Sequence, residues 1–291
     1  MNMRNKEHDQ EEDPHALTLE SRTIWDQLAT WWNEEVGEGN QFHQQIIWPT
    51  TEDLLGLKEG EHVLDIACGN GNFARRLAQR GAYVVACDVS EQFLHHAQEQ
   101  THAYQDRIEY RQIDATDEQQ LLTLGLRRFD AAVCTMSLMD LSTLDPLASA
   151  LHSLLKTGGR FIFSITHPCF NSSHCQKVIE EVERDDRQPA PQYAIKVTRY
   201  IRPSARKYIG MMGQPLPHYT FDRPLSLLFA PFFRAGFLLD RLEEPVFDQQ
   251  TAQARWVLSS VNFTDFPPGL FARFRLLPEH LYENFGIGMA Q

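Results

Sequence analysis

The sequence predicts a doubly wound α/β fold, a mostly parallel sheet covered by helices on both faces. Two observations carry this. Short, apolar, β-rich runs alternate with amphipathic helical stretches from residue 62 to residue 166, and the first such run leads straight into a glycine turn and a helix. The chain has 291 residues, 42% hydrophobic and 23% charged. It is long enough to build its own core without disulfides or metals.

Residues 1–15 are charged and aperiodic and read as a disordered tail. Residues 16–291 read as one domain. At 17–36, Leu17, Ile24, Trp25, Leu28, Trp31, Trp32 and Val36 recur at helical spacing, and Gly37 to Asn40 break the helix. A second helix is expected over 42–55, interrupted near Pro49. Together these N-terminal helices (17–58) form a lid in this reading, with Gln41, Phe42 and His43 as candidate lid residues. Strand–helix alternation follows: strand 62–67, helix 73–80, strand 83–87, helix 91–100, strands 108–113 and 129–135, helix 146–156, then Gly158-Gly159 as a stop, and strand 160–166. From about 168 to 222 the rhythm fails and Pro, Gly and aromatic residues dominate, so this segment reads as a loop-rich cap insertion holding one strand, 194–201. The alternation returns with helix 224–235 and strand 237–242, and a helix at 252–259 and a last strand at 270–277 complete the reading.

The formal net charge is −12. An acidic surface repels phosphate backbones, which argues against nucleic acid as a partner. The five cysteines form no C-x-x-C pair and no ligand spacing, so they read as free thiols of a reducing cytoplasm, and no metal site is expected. No apolar run approaches the ~18 residues that span a bilayer. The expectation is a cytoplasmic protein with a small-molecule partner; oligomeric state is not legible.

The segment VLDIACGNGNFARRLA, residues 63–78, carries the chemistry. Gly69 and Gly71 permit a tight turn, and the helix after them presents free N–H groups to an anion or an amino-acid carboxylate. Gly69-Asn70-Gly71-Asn72-Phe73-Ala74 also satisfies the dinucleotide pattern, with Asp88 about 20 residues on. An NAD-dependent oxidoreductase is therefore one alternative. Asp65, four residues before Gly69, argues against it: a carboxylate beside a pyrophosphate is repelled, whereas one beside an ammonium or sulfonium is favoured.

With Asp65, Gly69, Gly71 and Asp88 in place, D-I-A-C-G-N-G resembles the first motif of class I S-adenosylmethionine-dependent methyltransferases, and the likeness runs from about Trp25 to Leu277. The resemblance implies a Rossmann-like seven-stranded sheet whose last strand is antiparallel. It implies that Asp65, Ala67, Gly69 and Gly71 surround the methionine moiety of S-adenosylmethionine and that Asp88 accepts both ribose hydroxyls. It further implies that Val89 and Phe93 flank the adenine, that Asp114 and Ala115 meet its amino group, and that Thr135 and Met136 lie near the sulfonium. The implied activity is methyl transfer by in-line displacement to a small organic acceptor, its apolar body held by the lid and cap. An RNA methyltransferase and a non-catalytic cofactor-binding sensor are further alternatives. His167, directly after the fifth core strand, is the candidate general base, since its ordinary pKa lies near working pH. His218 and Tyr219 are candidates to reach the same pocket from the cap.

Overall fold

In the computed structural model, described for residues 14–183, 189–202, 204–248 and 257–278, seven strands form one sheet in the order β10-β11-β5-β4-β1-β2-β3. The strands are β1 (His62–Ile66), β2 (Tyr83–Asp88), β3 (Ile108–Gln112), β4 (Phe129–Thr135), β5 (Leu155–Thr166), β10 (Phe237–Glu243) and β11 (Gly269–Leu276). Strands β1 to β5 pair in parallel, while β11 runs antiparallel to both β5 and β10. The strand order reverses between β1 and β4. At that switch point the connections leave on opposite faces, and a crevice opens at the strands' carboxyl ends.

Alternation along β1 sets the two faces. Leu64 and Ile66 point into one apolar layer, with α5 (Glu118–Leu122), α6 (Asp145–Leu154) and α7 (Leu225–Arg234). Val63 points into the other, with α2 (Trp48–Leu55) and α3 (Asn72–Gln79). Period two puts Asp65 on that second face, at the end of a strand that is otherwise fully apolar there. Each layer removes large aromatic and aliphatic side chains from water, Phe161, Phe163 and Phe274 on one side and Phe271 on the other. A fully buried side chain of this kind contributes roughly 1.5–3 kcal/mol.

The structure corrects three details. Helix α6 ends at Leu154 and β5 begins at once, so Gly158-Gly159 lie inside the strand. The register there jumps from Phe129↔Leu155 to Ala131↔Arg160, an irregularity that the two glycines accommodate. The segment after α1 (Pro14–Val36) forms a π-helical turn, His43–Ile47, directly before Pro49. Proline has no N–H to bond back one turn, so the widened turn falls where the ladder is already cut. The cap holds two antiparallel hairpins rather than one strand: β6 (Cys175–Glu183) with β7 (Pro189–Val197), and β8 (Ser204–Tyr208) with β9 (His218–Asp222). Residues 1–13, 184–188 and most of the expected 252–259 helix lie outside the described residues. Among the described residues no helix is long and apolar enough to cross a membrane.

Candidate active site

Helix α3 begins at the glycine turn, with Gly69 and Gly71 at φ +54° and +71°. At Gly71 the constraint is steric as well as conformational. A Cβ there would collide with the Tyr110 hydroxyl and press on Ala97. Gly71→Ala is expected to lower stability by about 2–3 kcal/mol, read from the denaturation midpoint, because it adds a left-handed alanine and displaces the Tyr110–Thr101 hydrogen bond. Ala67 and Met136 also sit at positive φ, +52° and +56°, one after β1 and one after β4. Both line the cavity, where backbone strain of this kind is held by its surroundings.

A cavity of about 720 Å³ opens at the carboxyl ends of β1, β2, β3, β4 and β5. Of the cofactor residues expected from the sequence, Asp65, Ala67, Gly69, Asp88, Val89, Phe93, Asp114, Thr135 and Met136 line it. Two do not. Gly71 is a packing glycine beneath the loop, and Ala115 turns into the apolar core, leaving Thr116 at the wall.

Asp88 ties β2 to the glycine loop. Its Oδ2 accepts from Gly69 N–H at 2.8 Å and its Oδ1 from Ser90 N–H at 2.9 Å. Ser90 caps the next helix: its Oγ accepts from Phe93 N–H at the start of α4 (Glu91–Glu99). Each carboxylate oxygen keeps a further lone pair for a hydroxyl donor. Asp114 uses Oδ1 on the Thr116 N–H and hydroxyl, which fixes its carboxylate at the cavity edge.

Asp65 is 1% exposed and its Oδ2 has no partner among the described residues. Burial, with the Asp88 carboxylate as second cause, pushes its pKa up to about 8. Burial also raises Asp88. Two carboxyl groups share this desolvated wall, one with a bare Oδ2, and a cationic ligand group beside them would favour their ionised forms.

Helix α1 closes the cavity from above. Asp26 accepts from Ser90 Oγ at 2.7 Å, and Asn70 Nδ2 donates to Asn33 Oδ1 at 3.0 Å, so the helix is fastened to both α4 and the glycine loop. Asn72 Nδ2 donates to Gly37 O at 2.8 Å. Trp25, Trp32, Phe42, His43 and Trp48 line the cavity, whereas Gln41 bonds Gln45 at the surface. From the cap, His218 and Tyr208 reach the cavity; Tyr219 turns away and donates to Glu20.

His167 is a correction. It is 1% exposed and is not part of the cavity wall, and both ring nitrogens are engaged. Nε2 lies 2.7 Å from Glu244 Oε1, and Nδ1 accepts from Cys169 N–H at 3.1 Å. That pattern fastens the turn after β5 and leaves no nitrogen for a substrate proton. His167→Ala is expected to cost about 1–3 kcal/mol of stability by orphaning the Cys169 N–H, while S-adenosylhomocysteine affinity by titration stays within about twofold.

The sequence reading missed Asp140, which lines the cavity from a 3-10 turn, Leu138–Asp140, after β4. Its signal was the one that singled out Asp65: a carboxylate inside an apolar run, here Met136 to Leu141.

Residues 63–159 match the family described as a methyltransferase domain. Over 145 residues the chain is 37% identical to a ubiquinone biosynthesis O-methyltransferase of Alkalilimnicola ehrlichii, covering 47% of this chain and 54% of that one. Over 151 residues it is 30% identical to the enzyme of the same description in Coxiella burnetii, covering 50% and 61%. The chain thus spans little more than half the length of the curated relatives it matches. A solved S-adenosylmethionine-dependent methyltransferase from Mesorhizobium loti superposes with a TM-score of 0.62 at 25% identity, covering 78% of this chain and 96% of that one. Residues 63–159 thus resemble a methyltransferase domain, and the fold around them is that of the S-adenosylmethionine-dependent methyltransferases. A glycopeptide N-methyltransferase complexed with the same cofactor shares the fold alone, at 14% identity, a TM-score of 0.51 and coverage of 79% and 92%. The domain's matched region begins at Val63 and ends at Gly159, so it takes in the strand ends that carry Asp65, Asp88 and Asp114. The dinucleotide and RNA alternatives find no support in these likenesses.

Proposed function

We propose that the protein transfers a methyl group to a small organic acceptor held between helix α1 and the cap. One observation carries the reading: buried Asp65, unpartnered at Oδ2, stands beside Asp88 at the end of β1 and β2, where the cofactor of this fold binds. The donor set fits S-adenosylmethionine. Asp65 would neutralise its positively charged end, Asp88 would take the ribose hydroxyls, and Asp114 and Thr116 would meet the adenine edge, with Val89 and Phe93 on its faces. When bound, the cofactor supplies an already activated methyl carbon. The chain's own work is to orient the acceptor and exclude water. Trp25 and Trp32 do so from α1, and Tyr208 and His218 from the cap. The aromatic lining suits an acceptor with an apolar body, and the acidic chain charge favours a small molecule over nucleic acid.

Titration calorimetry with S-adenosylmethionine, S-adenosylhomocysteine and NAD tests this. Binding of the two sulfur compounds and not of NAD supports the reading; binding of NAD alone overturns it.

A further inference from the structure

The cavity has two chemically different ends. Asp65, Asp88 and Asp114 stand at the carboxyl ends of β1, β2 and β3, and Asp140 follows β4. The other end is built on β5 and β11, by Thr166, Asn171 and Pro268. Gly269 pairs with Thr166, so β11 starts at the same edge where β5 stops. Neighbouring strands lie about 4.8 Å apart, and β5 is three strands from β2, so this wall stands about 14 Å from Asp88.

A cation reaches into that end from the cap. Lys177, on β6, is half-buried in the cavity wall, and its Nζ donates to Ser260 Oγ at 2.6 Å, in the 3-10 turn Ser260–Asn262. The ammonium also lies 5.6 Å from the centre of the Phe263 ring. No carboxylate among the described residues pairs with it. An ammonium has three donors and Ser260 takes one, while the Ser260 hydroxyl, accepting from Lys177, keeps its own proton to give. Two N–H donors and one O–H donor are thus left at this spot. A half-buried charge without a counter-charge is costly. Lysine's ordinary pKa of about 10.4 lies far above neutrality, and burial draws Lys177 down from it, the direction an incoming anion would reverse. Arg22, the other permanently charged cation of the cavity wall, stands on α1 and is exposed to water.

These donors select a singly charged oxyanion. Four carboxyl groups share the cavity, and those that ionise oppose every added negative charge, a doubly charged phosphate more than a carboxylate. A lone ammonium also lacks the planar fork that arginine offers to phosphate. Phe247, Val261 and Pro268 supply apolar wall at this end, so the rest of the ligand meets carbon. On the reading above, the cofactor's own carboxylate lies by the turn after β1, two strands from β5 and about 10 Å away, so the cationic spot serves the acceptor.

We propose that Lys177 and Ser260 bind a carboxylate carried by the methyl acceptor, which is therefore a small organic acid with an apolar body, and that Lys177 is the residue that sets this specificity. The proposal rests on the methyl-transfer reading of the cavity. The ion pair makes and breaks no covalent bond. It fixes one end of the acceptor over β5 and leaves the other to meet the cofactor in line.

The test titrates three apolar acids, phenylacetate, 3-phenylpropanoate and octanoate, and the amide of each, into the full chain saturated with S-adenosylhomocysteine, by calorimetry. The expected result is that at least one acid binds about tenfold or more tighter than its amide. Lys177→Met, which keeps the stem and drops the charge, abolishes that preference, and Lys177→Arg keeps most of it. Affinity for S-adenosylhomocysteine stays within about twofold in both, which also shows that they fold. Lys177→Gln carries the same comparison if the methionine variant does not fold. A wild type that prefers no acid to its amide, or a preference that survives loss of the charge, overturns the proposal. So does a loss of about tenfold or more in S-adenosylhomocysteine affinity in a folded, uncharged variant, because the ammonium then holds the cofactor's own carboxylate. Failure of the wild type to bind S-adenosylhomocysteine overturns instead the methyl-transfer reading beneath it.

Discussion

Asp88→Ala is expected to weaken S-adenosylmethionine and S-adenosylhomocysteine binding by at least about 100-fold, measured by titration calorimetry. The arithmetic is direct. Each hydrogen bond to a charged group contributes roughly 1.5–3 kcal/mol, and each 1.4 kcal/mol is tenfold in affinity. Losing two ribose bonds therefore removes two to four powers of ten. The variant also releases the Gly69 and Ser90 N–H groups that Asp88 holds, loosening the loop that shapes the methionine end of the site. Folding itself should suffer less than binding. The orphaned N–H groups cost stability, but removing a buried carboxylate beside Asp65 returns some of it. Asp114→Ala serves as the graded control. Its side chain is partly exposed, and its loss should cost about tenfold. Equal affinities for wild type and Asp88→Ala would remove Asp88 from the ribose site.

The fold and the cavity wall at the ends of β1, β2 and β3 were legible because both follow from local rules. A parallel strand buried on two faces must be nearly all apolar, so Asp65 inside His62–Ile66 stood out as a charge with no structural reason to be there. The glycine turn announces itself by backbone geometry that few other residues adopt. The rest of the cavity wall was illegible for the converse reason. It is assembled from segments far apart in the chain, α1, the turn after β4, and the cap, and only tertiary packing shows which side chains meet. His167 illustrates this. Its place after β5 made it a sound candidate, yet Glu244, 77 residues away, claims one of its nitrogens. His218 shows the opposite: a candidate from an irregular stretch of the sequence, it is buried in the cavity wall once Gln214 and Trp25 close around it. The β6–β7 hairpin escaped reading because its partly exposed, mixed-polarity strands lack the clean alternation of a one-sided sheet.

Asp65→Asn should separate stability from function in opposite directions. The folded-state pKa of Asp65 lies above its unfolded value, at about 8 against an ordinary carboxylate near 3.8. The native state therefore binds more protons than the unfolded state between those values, and stability falls as pH rises through that window, levelling off above about 8. Asparagine keeps the shape and carries no charge, so the variant escapes this loss. Its melting temperature without ligand should equal or exceed that of the wild type. The gap should widen from pH 5 to pH 8 and stay constant beyond, measured by thermal melts across that range. Cofactor binding runs the other way. A positively charged ligand end favours ionised Asp65, so wild-type affinity should tighten as pH rises toward 8, with protons released on binding. Calorimetry in buffers of different ionisation enthalpy reads that release. In Asp65→Asn the release should vanish and affinity should drop by about tenfold or more, the cost of one charge-assisted contact in a desolvated wall. A variant that melts lower than wild type at pH 8, or that binds the cofactor with the same proton release, would mean that Asp65 is a structural carboxylate paired within the loop. The combination expected here, a gain in stability with a loss of binding, belongs to a buried charge kept for its ligand.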